Sequence, residues 1–61
     1  LTERERGVLD LMVQGLIKKE IASELDLSVH TVDTHIRNIY EKLHVHTRSG
    51  AVAKALKEKL V

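Results

Sequence analysis

Hydrophobic positions along the 61-residue chain recur with the spacing of α-helices, and no segment shows the alternation of a half-buried strand. The pattern is clearest in the third segment, where Val32, Ile36, Ile39 and Leu43 fall on one helical face. Three other segments repeat it: Val8, Leu9, Met12, Val13 and Leu16; Ile21, Ala22 and Leu25; Ala51, Val52, Ala55, Leu56 and Leu60. The pattern therefore predicts an all-α fold, a small domain of four helices.

Capping residues predict where these helices begin and end. Thr2, with Glu5 three residues later, has the spacing of a capping box, in which a hydroxyl and a carboxylate satisfy free amides at a helix start. Gly15 suits the left-handed residue that follows a helix C-terminus. Ser28 and Thr47 are the expected N-caps of the third and fourth helices.

The second helix is expected to be short, from about Lys18 to Leu25, and its start is weakly marked because Ile17 has no side-chain oxygen. Asp26 and Leu27 form a tight connection to the third helix. A short helix, a turn of about three residues and a longer helix form the helix-turn-helix arrangement. On this geometry alone, a helical protein-interaction module fits as well as a DNA-binding domain.

The composition excludes several kinds of site but does not by itself indicate a function. Ten basic and nine acidic residues give a net charge of only +1, so a DNA-binding function has to rest on where the charges lie. The absence of cysteine excludes disulfides and thiolate metal sites, and no apolar run approaches the roughly 20 residues that span a bilayer. We expect a cytoplasmic protein, of which residues 1–61 are one domain excised from a larger chain, since the sequence begins with Leu1.

Neither a metal site, a cofactor nor catalysis is expected. The four histidines do not pair at the i, i+4 spacing that places two imidazoles on one helical face: His30, His35, His44 and His46. Glu20 and Glu24 are four residues apart, which is common for glutamates on a helix surface. No set of nucleophile and base accompanies them, so we expect no enzyme.

Several short motifs occur in order along the whole chain: LTERE, GL, KEIA, LS, TV..H, KL and R..AV. Together they resemble the LuxR-type helix-turn-helix domain, the C-terminal effector domain of NarL/FixJ response regulators and quorum-sensing receptors. The resemblance implies that the second and third helices read DNA and that the fourth dimerises. It also implies a parent protein with an N-terminal receiver or, as the second possibility, a small-molecule sensor. Ile17, Asp33 and Gly50 depart from the usual pattern, in which Ser or Thr, Lys or Arg, and Glu are common.

The polar face of the third helix is the expected base-reading surface, since such a helix fits the major groove of B-DNA. The residues assigned to base reading are His30, Asp33, Thr34, Arg37 and Asn38, with Glu41 too far along to enter the groove. Arg37 can donate to guanine O6 and N7, Asn38 can pair with adenine, and Thr34 can contact a thymine methyl. The alternative is an ordinary solvated face.

Asp33 has two possible roles on this face. It can accept a hydrogen bond from the exocyclic amine of cytosine, or it can pair with Arg37 four residues later and aim the guanidinium. In either role the carboxylate is repelled by the phosphates, so Asp33 is expected to lower non-specific affinity and to penalise wrong bases. The alternative is that Asp33 lies outside the groove and is merely tolerated.

Phosphate contacts are expected to flank the reading face. The assigned anchors are Lys18, Lys19, Thr31, Lys42 and Arg48, of which the family resemblance favours the last four. About four anchors predict a slope of log affinity against log salt near −3 to −4 per monomer. The alternative is that the lysines are solvated or serve packing.

The fourth helix is too apolar for a lone outer helix, which predicts an isologous homodimer through Val52, Leu56 and Leu60. These residues could instead complete the monomer core or meet an N-terminal domain. The sequence thus predicts sequence-specific binding of double-stranded DNA by a dimeric transcription regulator. The rival is a protein-interaction module that does not bind DNA, and salt-dependent DNA binding would separate the two.

Overall fold

The computed structural model describes all 61 residues and contains four α-helices and no strand. The helices are α1 (Glu3–Val13), α2 (Lys18–Leu25), α3 (Val29–Leu43) and α4 (Arg48–Lys57). The all-α fold predicted from the periodicity is confirmed, and α2 has the predicted bounds. None of the four helices has both the length and the apolar character needed to cross a bilayer.

The predicted N-caps are all present. The Thr2 hydroxyl accepts from the Glu5 N–H at 3.1 Å, and the Glu5 carboxylate accepts from the Thr2 N–H at 2.9 Å, which completes the capping box. Ser28 caps α3 through the Thr31 N–H, and Thr47 caps α4 through the Gly50 N–H. These bonds satisfy amides that would otherwise have no partner in the first turn of each helix.

The two departures from the family pattern at helix starts are accommodated differently. At α2, the Glu20 carboxylate accepts from the Ile17 N–H at 2.9 Å, so half of a capping box forms although Ile17 itself supplies no acceptor. At α4, a Cβ on Gly50 would lie 3.2 Å from Thr47 Oγ1 and 3.3 Å from Val45 Cβ. Glycine therefore fits a close contact beside the cap.

Left-handed residues end α1, α2 and α3. Gly15 has φ 96°, as expected, and the following Leu16 N–H donates to the Leu11 carbonyl at 3.1 Å, the hydrogen bond of a Schellman motif. Asp26 and His44 adopt the same conformation with φ near 55°. The chain thus reverses direction within a few residues after each helix.

Eleven buried hydrophobic residues form one core beneath all four helices: Val8, Leu9, Met12, Ile21, Ala22, Val32, Ile36, Ile39, Leu43, Ala51 and Ala55. All four predicted positions of α3 are among them. Leu25, which was predicted to be buried, is only partly buried at the edge of this core, as are Val13 and Leu16 of the first segment. Helices α1 and α3 each pack on the three other helices, so these two form the centre of a domain of 28 × 19 × 19 Å.

The helix-turn-helix unit consists of α2, a three-residue turn (26–28) and α3. Because one face of α3 is buried against the other helices, its opposite face is fixed in direction and open to solvent. One expectation about α4 is wrong: the helix ends at Lys57, and Leu60 lies beyond it. Lys59 takes a left-handed conformation there, and the Leu60 N–H donates to the Ala55 carbonyl.

Candidate nucleic-acid interface

The solvent face of α3 carries the side chains that the sequence assigned to base reading. Four of the five are exposed, namely His30, Thr34, Arg37 and Asn38, whereas Asp33 is half-buried. Arg37 projects farthest into solvent, with 75% of its side chain exposed. The Thr34 hydroxyl donates to the His30 carbonyl one turn earlier at 3.2 Å, which leaves its methyl group and its acceptor lone pairs free.

Asp33 bridges the two helices of the unit. Its Oδ1 accepts from Lys18 Nζ at 2.6 Å, and its Oδ2 lies 2.7 Å from Arg37 Nη2. The pair with Arg37 was one of the two sequence-based possibilities, whereas the pair with Lys18 was not anticipated. The hydrogen bond from Lys18, followed by that from Arg37, lowers the pKa of the Asp33 carboxyl, so it is ionised at neutral pH.

The expected phosphate anchors near α2 differ in whether their side chains already have a partner within the domain. Lys19 is exposed and makes no ion pair, whereas Lys18 is paired with Asp33 and keeps 50% of its side chain exposed. The Thr31 hydroxyl lies 2.9 Å from the Ser28 hydroxyl at the start of α3. The start of α2 therefore presents one unpaired cation, Lys19, next to the reading face.

Lys42 forms an ion pair inside the domain, whereas packing or solvation was the only alternative to phosphate binding that the sequence suggested. Its Nζ lies 2.8 Å and 3.1 Å from the two carboxylate oxygens of Glu5, and 4% of the Glu5 side chain is exposed. The Lys42 hydrogen bond, with that of the Thr2 amide, lowers the pKa of Glu5 although burial opposes this. Lys42 thus joins the C-terminal half of α3 to the start of α1.

Arg48 is held inside the domain. Its Nη2 donates to the carbonyls of Met12 (3.0 Å) and Leu16, at the C-terminal end of α1. The Met12 carbonyl also accepts from the Gly15 N–H, and Leu16 lies in the turn after α1, so the guanidinium joins α4 to the end of α1 and the turn that follows it. The assignment of Arg48 as a phosphate anchor therefore competes with a structural role, because at least part of its donor set is already used.

The apolar side chains of α4 divide into two groups. Ala51 and Ala55 are fully buried, as expected, whereas 58% of Leu56 is exposed and Val52 is partly buried against the core. Leu60 packs against the core from beyond the helix end. Of the three residues assigned to dimerisation, Leu56 is thus the one that projects most into solvent.

Three features of the structure were not predicted from the sequence. Val29 opens α3 with 46% of its surface exposed, close to the base-reading residues, and only its place in the first turn of the helix could have indicated it. Ile17 is 56% exposed beside Lys18. Lys54 donates to the Leu43 carbonyl at 2.7 Å and caps the C-terminus of α3, a contact across 11 residues that no local pattern signals.

An open groove of about 500 Å³ continues the reading face at the C-terminal end of α3. Its lining residues are Arg37, Tyr40, Glu41, His44, Val45 and His46. No cluster of three or more His, Cys, Asp or Glu side chains is arranged to hold a metal ion.

Comparisons with known proteins agree with this architecture. Residues 1–55 match the family described as GerE, bacterial regulatory proteins, luxR family. The chain is 51% identical over 51 residues to the nitrate/nitrite response regulator protein homolog of Haemophilus influenzae. It is 46% identical over 55 residues to the HTH-type transcriptional regulator MalT of Vibrio campbellii. These matches span 84% and 90% of this chain, but 24% and 6% of the two relatives.

Two solved structures share the fold. The response regulator ChrA of a heme-sensing two-component system superposes with a TM-score of 0.96 and 38% identity over all of this chain, which corresponds to 30% of ChrA. The transcription factor GerE superposes with a TM-score of 0.90 and 38% identity, covering 98% of this chain and 90% of GerE.

Proposed function

This chain belongs to the luxR family of bacterial regulatory proteins, and on that premise we propose that it binds duplex DNA sequence-specifically to regulate transcription. The chain is a helix-turn-helix domain whose relatives are transcriptional regulators, not enzymes. The observation that carries the proposal is the solvent face of α3, a row of exposed polar side chains on a helix whose opposite face is buried in the core.

Helix α3 is proposed to enter the major groove and read base edges. Arg37 contributes most of the discrimination, because its long and mostly exposed guanidinium retains free donors for guanine O6 and N7. Thr34, Asn38 and His30 contact neighbouring base edges, and Val29 adds an apolar contact at the start of the helix. Asp33, with both oxygens already accepting from cations, acts mainly on Arg37.

Phosphate contacts are proposed to supply affinity independent of sequence. Lys19 and the Thr31 hydroxyl are the first anchors, since neither is tied to another helix. Lys18 and Lys42 remain about half exposed and can approach phosphate only in competition with their carboxylate partners. We assign Arg48 chiefly to the contact with α1 described above.

The proposed oligomer is a homodimer formed through α4, with two domains on two half-sites. Leu56 would form its centre with Val52 at its edge, because both lie on the side of α4 that the monomer does not fully cover. Leu60, which lies beyond the helix, would contribute only from the periphery.

The domain organisation of the full-length protein is also proposed here. The chain spans 6% of the MalT length and 24% of the Haemophilus response regulator, but 90% of the GerE chain. We propose that the domain follows an N-terminal receiver that controls dimerisation, with a small-molecule sensor as the second possibility. The similarity to two response regulators, ChrA and the Haemophilus influenzae homolog, supports the first of these arrangements.

DNA selection followed by a salt titration tests the proposal. A duplex selected by the chain from a randomised pool should bind more tightly than the unselected pool. Because Lys18, Lys42 and Arg48 already have partners, Lys19 is the one unpaired cation among the anchors, and we expect a slope of log affinity against log salt of about −1 per monomer, less than the sequence alone predicted. No binding at low salt, or binding independent of salt, would contradict DNA binding and favour a protein partner.

Two substitutions separate the proposed roles in the same assay. Arg37→Ala should relax the preference at one base pair per half-site, a loss of about 1–3 kcal/mol of discrimination. Lys19→Ala should instead weaken binding evenly across sequences and flatten the salt slope by about one. If the two variants exchange these effects, the division into base-reading and phosphate-binding residues is wrong.

A further inference from the structure

Asp33 is the point where the two DNA-facing helices are joined by charge. Its side chain is 24% exposed, compared with 50% for Lys18 and 75% for Arg37. One carboxylate oxygen faces the start of α2 and the other faces the next turn of α3, at 2.6 Å and 2.7 Å from the two cations. The single carboxylate of Asp33 therefore orients the side chains of both Lys18 and Arg37.

This arrangement cancels part of the positive charge near the reading face. Lys18, Asp33 and Arg37 together carry one net positive charge, although the sequence offers two cations at these positions. Lys19 is adjacent in the chain and exposed, but it makes no ion pair. Two neighbouring lysines at the start of the same helix thus differ in whether they are free to neutralise a phosphate.

We propose that Asp33 is a positioning residue that sets the sequence specificity of this domain by aiming Arg37 and by keeping Lys18 from phosphate. The inference rests on the DNA binding proposed above. By holding Lys18, Asp33 lowers affinity for DNA of any sequence. By restricting Arg37 to one direction, it preserves the difference between correct and incorrect base pairs, since specificity is a difference of affinities.

The two neighbouring lysines give the first test, which leaves Asp33 intact. Affinity for the unselected duplex pool is measured over a range of salt concentrations for Lys18→Met and Lys19→Met. Lys19→Met should flatten the salt slope by about 0.9, the value for one lost phosphate contact, whereas Lys18→Met should leave it nearly unchanged. Equal flattening by both variants would overturn the proposal, because Lys18 would then contact phosphate despite Asp33.

The second test removes the carboxylate with Asp33→Asn and uses Asp26→Asn as its control. Both variants raise the net charge by one within the helix-turn-helix unit. Asp26 makes no ion pair, however, and asparagine tolerates its left-handed conformation. Asp33→Asn should bind the unselected pool about five- to tenfold more tightly at 0.1 M salt, with a slope steeper by about 0.9, because Lys18 gains a phosphate. The control should show a smaller gain and no change of slope.

Sequence specificity distinguishes a positioning role from a purely structural one, because loss of helix stability would weaken binding to all duplexes equally. The affinity ratio of the selected duplex to the unselected pool should fall about fivefold in Asp33→Asn, as expected when a bidentate arginine contact loses its direction. Adding Lys18→Met should return the slope, but not the ratio, to the parent value. Equal behaviour of Asp33→Asn and Asp26→Asn would overturn the inference, as would an equal loss on both duplexes. Failure of the unsubstituted chain to bind either duplex would instead contradict the proposed function.

Discussion

Glu5 is the one charged side chain buried in the core, with 3% of its surface exposed. An unpaired carboxylate at such a site would be costly, because burial penalises the charged form. Here the Lys42 ammonium contacts both carboxylate oxygens, and the Thr2 amide donates to one of them. The same glutamate thus caps α1 and holds the far end of α3 against it.

The ion pair between Glu5 and Lys42 should make the free energy of unfolding depend on pH. Since the pKa of Glu5 is lowered in the folded state, the ionised group contributes fully above its ordinary pKa near 4.5. That contribution is lost as pH falls through the lower folded value. Lys42→Met removes the largest cause of the shift, so acid should destabilise the variant from a higher pH. The free energy of unfolding at pH 7 should fall by about 1–2 kcal/mol, because a buried charge keeps only its amide partner.

Urea unfolding between pH 3 and pH 8 measures both effects. Lys57→Met is a suitable control, since Lys57 is an exposed lysine that makes no ion pair. If Lys42→Met and Lys57→Met unfold alike at every pH, the Glu5 pair contributes nothing to stability.

At the residue scale, the sequence identified the charged positions but, apart from the local Asp33–Arg37 pair, not their partners. Lys18, Lys42 and Arg48 contact groups 15, 37 and at least 32 residues away along the chain. Such contacts depend on how the helices cross, which hydrophobic spacing does not specify. Their roles as anchors could therefore be ranked only after the packing was known, whereas Arg37, directed away from the α3 core stripe, was predictable from helical geometry.

At the element scale, local chemistry was sufficient to predict most helix ends. Hydroxyl caps marked the starts of α1, α3 and α4, because a side-chain acceptor near the first turn is a local signal. The ends were harder to predict. Gly15 was expected to be left-handed, but His44 and Lys59 adopt the same conformation although neither is the glycine that usually marks it.

His44→Gly should stabilise the domain. His44 is exposed with φ 56°, a conformation that costs a residue with a Cβ about 1–2 kcal/mol and glycine almost nothing. Part of the gain is offset because glycine loses more backbone entropy on folding, so we expect a net increase of about 0.5–1 kcal/mol in the free energy of unfolding. Thermal and urea unfolding of the variant beside the parent chain measure it.

His46 supplies the matched control two residues later. It is also an exposed histidine, but its φ is not positive, so His46→Gly should be neutral or destabilising through the added freedom of the unfolded chain. Equal stability of the two variants would show that the left-handed conformation of His44 carries no strain.

At the scale of the whole molecule, the periodic pattern predicted the fold because each helix buries one stripe against its neighbours. A core of eleven hydrophobic residues is small, and α4 contributes only two alanines to it. The larger side chains of α4 therefore lie at the edge of the monomer or outside it. Whether they meet another copy was not decidable from the sequence, since a partly covered apolar residue is compatible with several partners.

The last prediction concerns this uncovered side of α4 and uses Leu56→Asp. Because 58% of Leu56 is exposed, the substitution should leave the monomer folded, whereas Val52 is partly buried and is left unchanged. In an isologous dimer the exposed 58% of each Leu56 would be buried, which is worth about 1–2 kcal/mol per side chain. A charge at the same position would also have to be desolvated. Self-association in ultracentrifugation and cooperative binding to a duplex with two half-sites should therefore both be lost.

Binding to a single half-site should be nearly unchanged in Leu56→Asp, since α4 is not the reading helix. Lys57→Ala changes the net charge by the same amount on the neighbouring residue without burying a charge, so it should retain most of the cooperativity. Circular dichroism verifies that both variants fold. If Leu56→Asp folds and still occupies two half-sites as cooperatively as the parent chain, the dimer contact lies elsewhere than α4. A loss of single-site affinity equal in both variants would show that charge near α4, rather than an apolar contact, governs DNA binding.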